Sequence, residues 1–399
     1  MEPKIRFSST NILYEEKTLS EISTINPKTN VPLEFEYVDL ESVSGTEMTN
    51  HRTEHKATAP SRAQRLAKKG DIFYQTVRPY QRNNYYFDMD DDNYVFSTGY
   101  AQIRPSIYGK YLFTLLQNES FLKQVLDNCA GTSFPAINPS VLSRLSVRIC
   151  TDKQEQQAIA SYFTSLDSQI SAATSRLASL KQMKAASLQA MFPQEGETVP
   201  KIRFKGFEGE WKKVKLGDIA KFSKGQGYSK SDLKETGHPI ILYGRMYTKY
   251  QFAIDEVDTF ANLKDASILS EGNEIIMPAS GETPEDIACA SAVLSKDIIL
   301  GGDLNIMHFD LTKFSTPYIA LVITYSKTHH DLSKCAQGKS VVHLHNGAIS
   351  RATISLPSLA EQQAISSYFT SLDRQISLQS QRLEKLKQIK SACLDKMFV

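Results

Sequence analysis

From Ile159 onward, apolar residues fall at Ile159, Phe163, Leu166, Ile170, Ala173, Leu177 and Leu180. This 4-3-4-3-4-3 spacing predicts a long helix with a coiled-coil seam. The seam returns at Ile365, Phe369, Leu372, Ile376, Gln379, Leu383 and Leu386. Asp152-x-x-Glu155 and Ser358-x-x-Glu361 read as capping boxes, in which the first side chain takes a free backbone N–H and the glutamate reaches back. Pro193 marks the first stop, and the second copy runs out at Phe398.

Residues 155–192 and 361–398 are identical at 25 of 38 positions without a gap, so the chain is a duplication. The repeat extends beyond the helices. Pro3-Lys-Ile-Arg-Phe7 returns as Pro200-Lys-Ile-Arg-Phe204, Leu19 and Ile22 fall on Leu216 and Ile219, and Ser143-Arg144 matches Ser350-Arg351. Gly131 and Ser133 likewise match Gly338 and Ser340. Each half is a short leader, a divergent domain and a long helix. A seam left in water would forfeit about 1.5–3 kcal/mol per large apolar side chain, so the two helices are expected to pair, antiparallel under pseudo-two-fold symmetry. At about 1.5 Å per residue each makes a rod of about 55 Å, long enough to space two readers about 16 base pairs apart.

Patterning in the divergent stretches predicts mixed α and β. Residues 71–77 and 94–104 read as strands and 111–128 as a helix, followed in the second half by strands at 238–243, 274–277 and 298–300 and a helix at 317–325. The expected architecture is α+β, with two mixed α/β domains separated by two long helices in an antiparallel coiled coil. Boundaries are expected at 1–150 for the first domain and 151–192 for its helix, then 193–356 for linker and second domain and 357–399 for the second helix.

Composition is ordinary for a globular protein, 41% hydrophobic and 23% charged with a net charge of +2. No run approaches a membrane span and MEPKIRFSST lacks a signal-peptide core, which makes the cytoplasm the expected compartment. Five scattered cysteines without a C-x-x-C pair support neither a disulfide framework nor a zinc cage. Charge is uneven along the chain. Residues 51–70 hold six Lys or Arg against Glu54 alone, and residues 201–230 hold nine against three acids, a basic stretch in each half that points toward DNA. The acidic run Asp88, Asp90, Asp91, Asp92 is expected in a turn facing away from phosphate.

The duplicated EQQAI helix, the leader Pro200-Lys-Ile-Arg-Phe204 with Trp211 and Leu216-Gly-Asp-Ile219, and the strings Gly70-Asp-Ile72, Val77-Arg-Pro-Tyr80 and Ser97-Thr-Gly-Tyr100 resemble the specificity subunit of type I restriction-modification systems. The resemblance covers the whole chain. It implies two domains that each read half of a split, asymmetric site in double-stranded DNA. It also implies a helical pair that docks two adenine methyltransferase subunits, with motor-nuclease restriction subunits joining that core. The first leader departs from the pattern, since residues 8–13 replace the glycine-rich stretch.

Catalytic motifs are missing from the sequence. Asn26-Pro27 and Asn138-Pro139 lack the aromatic of a base-flipping methyltransferase loop. Gly338-Lys339-Ser340 lacks the first glycine of a phosphate-binding loop, and His343-x-His345 has no spaced partner for a metal. No catalytic residue, metal or cofactor is therefore expected. Polar and basic groups in turns are the candidate DNA contacts. They are Arg78, Tyr80, Arg82, Asn83, Tyr100, Arg104 and Ser133 in the first domain. In the second they are Lys224, Tyr228, Tyr243, Arg245, Ser280, Glu282, Asn305, Lys339 and His345, with Arg78 and Arg245 foremost overall. The residues alone leave two other readings open, a self-contained methyltransferase or nuclease and a coiled-coil scaffold carrying two domains that do not bind DNA.

Overall fold

Both seams lie on single unbroken helices, Lys153–Ala190 and Leu359–Met397, in a computed structural model that describes residues 3–7, 14–338 and 340–398. Every seam position is buried or half-buried, with Phe163, Leu166, Phe369 and Leu372 among the most enclosed. The first arm of each expected capping box is formed. Asp152 Oδ1 accepts the Glu155 N–H at 2.8 Å and Ser358 Oγ the Glu361 N–H at 3.3 Å. The glutamates, however, are drawn to the leaders. Glu155 Oε1 accepts the Phe7 N–H at 2.9 Å, and Glu361 takes the Arg203 guanidinium at 2.6 and 2.7 Å. A buried carboxylate gains more from a charged or otherwise unmatched donor than from closing its own helix turn.

The chain forms two units, residues 1–174 with 381–399, and residues 175–380. In the first, the two long helices run antiparallel. Lys390 pairs with Asp167 at 2.5 Å, the Tyr162 hydroxyl meets Cys393 Sγ at 3.4 Å, and the rings of Phe163 and Phe398 lie 6.1 Å apart. Behind them a sheet of strands Ser23–Ile25, Tyr100–Pro105, Ile72–Gln75 and Tyr85–Tyr86 buries Ile72, Tyr74, Ala101 and Ile103. A second four-stranded sheet contains Tyr94–Ser97 and Glu34–Val38 as a parallel pair. The single strand expected over 94–104 is thus two strands in two sheets, turned at Thr98-Gly99, because Phe96 and Tyr100 both fill one aromatic core with Phe73. The helix expected over 111–128 is likewise two, Gly109–Leu115 and Glu119–Asp127. Asn118 breaks it, capping the second piece through the Ser120 N–H at 2.6 Å and donating from Nδ2 to Leu394 O at 2.9 Å.

The second unit repeats the plan. Lys184 pairs with Asp373 at 2.6 Å, Ser187 Oγ meets the Tyr368 hydroxyl at 2.9 Å, and Phe192 stacks on Phe369 at 6.2 Å. Those partners are the sequence equivalents of the pairs in the first unit. Two five-stranded sheets and the helix Thr316–Tyr325 make its body, with Tyr318 to Ile323 fully buried against Trp211, Leu216 and Phe369. The leader joins are also shared. Strand Tyr14–Thr18 pairs antiparallel with Ser146–Cys150, and Lys212–Lys215 with Thr353–Leu356. Gln156 Nε2 donates to Cys150 O at 2.7 Å and Gln362 Nε2 to Pro357 O at 3.0 Å, tying each long helix to the last strand of its domain. Among the described residues no helix is long and apolar enough to cross a membrane.

Candidate DNA interface

In the first domain a rigid loop follows strand Ile72–Gln75. Buried Gln75 anchors it, donating from Nε2 to Val77 O and Gln81 Oε1, both at 2.8 Å, and accepting the Asn83 N–H at 3.0 Å. The short turn Pro79–Gln81 is bracketed by Arg78 at φ 54° and Arg82 at φ 58°. Two non-glycine residues in the sparsely populated left-handed region within five positions fix the course of this turn. Arg78 N–H binds Pro135 O at 2.8 Å, and its guanidinium lies 4.4 Å over the Phe134 ring with no carboxylate partner among the described residues. Tyr80 is half exposed and Ser133 is exposed in the adjoining 130–136 hairpin, while Asn83 Oδ1 accepts the Gly45 N–H at 2.9 Å. Arg82 is spoken for by Glu119.

Two candidates in this domain are engaged by the fold itself, Tyr100 in the core and Arg104 half-buried. Tyr100 is fully buried in the aromatic core, with burial raising its hydroxyl above the ordinary range. Arg104 grips buried Asp71 through Nε and NH2 at 2.7 and 2.8 Å, and Asp71 also holds Gln102 and the Lys68 N–H. Both residues carry the fold.

The backbone aligns the second domain on the first. Thr76 N–H binds Gly99 O and Ile137 N–H binds Thr76 O, just as Ala279 N–H binds Asp303 O and Leu344 N–H binds Ala279 O. The counterpart of Arg78 is therefore Gly281, and that of the 130–136 hairpin is residues 337–343. Glu282 and His345 stand exposed at this edge, with the His343 and His345 rings parallel at 6.2 Å. Tyr243 is half-buried beside Tyr247 at 6.4 Å, and Lys224 is exposed. Lys339 lies outside the described residues.

Other candidates here are structural. Asn305 is buried and donates to Pro278 O and Leu344 O, and Ser280 is buried and donates to Asp303. The Tyr228 hydroxyl is tied to Ser267 and to Asn262 O. Arg245 does not correspond to Arg78. Its side chain is 9% exposed and bound to Asp258 and Gln251, and with Lys249 it draws the Asp258 carboxyl down to about 2. Sequence pattern could not separate these residues from true surface groups, since an arginine in a turn reads alike in both cases. It also passed over Phe134 and Gln75, one an aromatic beside a proline and the other a polar residue inside a strand.

Glu271, Glu274 and His308 bring three ligand-type groups within 4.8 Å. The Glu274 carboxylate accepts the N–H groups of Glu271, Gly272 and Asn273, so its oxygens shape the turn before strand Glu274–Pro278. Asp71 does the same work in the first domain.

Known proteins carry the same plan. A family model for the type I restriction modification DNA specificity domain matches residues 11–182 and 208–388. The HindI specificity subunit of Haemophilus influenzae is 36% identical over 139 residues, covering 33% of this chain and 30% of that protein, so the match spans less than a third of that relative's length. The crystal structure of the type I restriction-modification S subunit from M. genitalium superposes with a TM-score of 0.66 at 15% identity, covering 100% of this chain and 99% of that one. A chain from a structure describing complex assembly and conformational transition of the type I R-M system gives 0.51 at 19% identity, over 96% and 97%. At such identities the structural likeness shows the fold, while the family match takes in most of both halves: the chain belongs to the family of type I restriction modification DNA specificity domains.

Proposed function

We infer that this chain is the specificity subunit of a type I restriction-modification complex, reading a bipartite, asymmetric site in double-stranded DNA. The observation that carries this reading is one frame used twice with different groups at equivalent turn positions. Arg78 answers to Gly281 and Phe134 to Val341, whereas the helix-pair contacts are kept. Fixed geometry with divergent turns is what two readers of unlike half-sites require. Arg78, Tyr80, Asn83 and Ser133 would read one half. Tyr243, Glu282, His345 and Lys224 would serve the other, with Lys339 beside them in sequence.

The chain is non-catalytic in this reading, and methylation and cleavage belong to its partners. Two methyltransferase subunits would dock on the helix pair. In the second unit a groove of about 330 Å³ between the helices, lined by Arg176, Leu180, Met183, Tyr368 and Leu372, leaves Met183 half exposed and supports such docking. Restriction subunits would join that core, and the whole would act in the cytoplasm. Methylome sequencing of cells with and without the gene tests the assignment. A split adenine-methylation motif present only with the gene is expected, and identical methylomes together with no gel shift on a random DNA pool for the chain co-expressed with its methyltransferase would overturn it.

A further inference from the structure

Phe134 is 61% exposed and Val341 is 51% exposed, at equivalent tips of the two hairpins. Both tips are pinned. Ala130 and Ala136 exchange N–H···O bonds of 2.9 Å, and Gln337 and His343 exchange bonds of 3.0 and 2.8 Å. Each hairpin turns on a glycine at positive φ, Gly131 at +88° and Gly338 at +136°. A Cβ on Gly131 would stand 3.2 Å from Phe134 O, and one on Gly338 would stand 1.9 Å from Val341 O. The repeated glycine therefore lets the chain fold back onto the carbonyl of the apolar residue. Single exposed apolar side chains are common, but these two stand at matching positions of a duplicated frame, each presented by a glycine turn. Their surroundings indicate what covers them. The Arg78 guanidinium lies over Phe134, and the paired rings of His343 and His345 follow Val341. An apolar tip beside hydrogen-bond donors matches the major-groove edge of DNA, where thymine alone presents a methyl group next to acceptors.

We propose that Phe134 and Val341 are base-reading residues, each pressing on a thymine C5-methyl group in one half-site, an assignment that rests on the chain being a DNA-specificity subunit. The test uses the full chain in complex with its methyltransferase subunits and duplexes carrying the motif found by methylome sequencing, with each thymine replaced in turn by uracil. One uracil in each half-site should weaken binding about fourfold, the worth of about one methyl group returned to water. Phe134→Ala should abolish that penalty in one half and Val341→Ala in the other, while Phe134→Leu keeps part of it. Both side chains are exposed, so melting temperatures should not move.

Uracil penalties that survive both alanine variants, or no penalty anywhere in a motif still bound specifically, would overturn the proposal and leave the DNA-reading function standing. A changed preference confined to a G·C pair would assign Phe134 to holding Arg78 instead and also overturn it. Weaker co-purification of the methyltransferase with base preference intact would make the tips a protein contact, again overturning it. Absence of any sequence-preferring DNA binding by the intact complex would remove the functional reading itself.

Discussion

Arg203 holds Glu361 with two parallel hydrogen bonds, Nε to Oε1 at 2.6 Å and NH2 to Oε2 at 2.7 Å, and the Glu361 side chain is wholly shielded from solvent. The same guanidinium donates to Gly209 O and Glu208 O, so one side chain ties the leader's two ends to the start of the second long helix. Arg203→Ala would leave a buried carboxylate without its cation. Such losses cost about 3–5 kcal/mol, and the partly wet edge of Arg203 places this one near the lower end. Denaturant unfolding should show it, with Arg203→Met combined with Glu361→Leu recovering most of the loss. A single variant as stable as the parent would mean that the leader is not fastened by this pair.

Arg78 and Arg245 should behave differently when removed. Arg78 is strained and free of any carboxylate among the described residues, so Arg78→Ala should cost about 1–3 kcal/mol of specific binding and relax one half-site only, at an unchanged melting temperature. The Arg245 side chain is enclosed and bound to Asp258 and Gln251 at the surface. Arg245→Ala should lower the melting temperature and leave the base preference of the second half intact. Methylome motifs and melting curves read both effects, and a relaxed second half-site at unchanged stability would return Arg245 to the reading surface.

The long helices, their antiparallel pairing and the duplication were legible because helical period and repeat identity are local properties of the chain. The candidate DNA interface was legible only in part. Tyr100 and Asn305 look like turn-side polar groups in sequence and lie at zero exposure, because the sheets that bury them are assembled from strands far apart in the chain. The glutamates of Glu155-Gln-Gln and Glu361-Gln-Gln looked like caps. Their partners Phe7 and Arg203 come from leaders more than 140 residues away, beyond any local rule.

The seam supports a graded prediction. Leu372 is 3% exposed and lines the groove between the helices, whereas Leu177 is half-buried. An aspartate at Leu372 forfeits the burial of a full leucine and desolvates a charge, a loss of at least about 3 kcal/mol, while the wetter position lets the new carboxylate turn toward water. Leu372→Asp should therefore lower stability and methyltransferase co-purification more than Leu177→Asp does. Equal effects, or none, would show that this stripe is not the packed seam.

The connections at the two helix ends are built alike. The leader at Lys4 and Ile5 donates its N–H groups to Lys396 O at 2.8 and 3.2 Å, and Ile202 donates to Ala190 O at 3.0 Å. Ile5 and Ile202 are equivalent, and so are Lys396 and Ala190, yet in the second case a covalent linker at 193–199 joins helix to leader and in the first it does not. Bonding at the joint does not depend on the linker. A permutant that joins residue 398 to residue 3 through a short flexible segment and opens between Phe192 and Pro200 should keep both domains on their helices, because it only exchanges which of two matching joints is continuous. Expressed with its methyltransferase, it should assemble and write the same methylation motif with the same spacer. A soluble permutant with an altered spacer, or one that fails to fold although the linker comfortably spans the gap, would mean that the covalent linker at 193–199 holds the second leader in place and the hydrogen bonds at the joint do not.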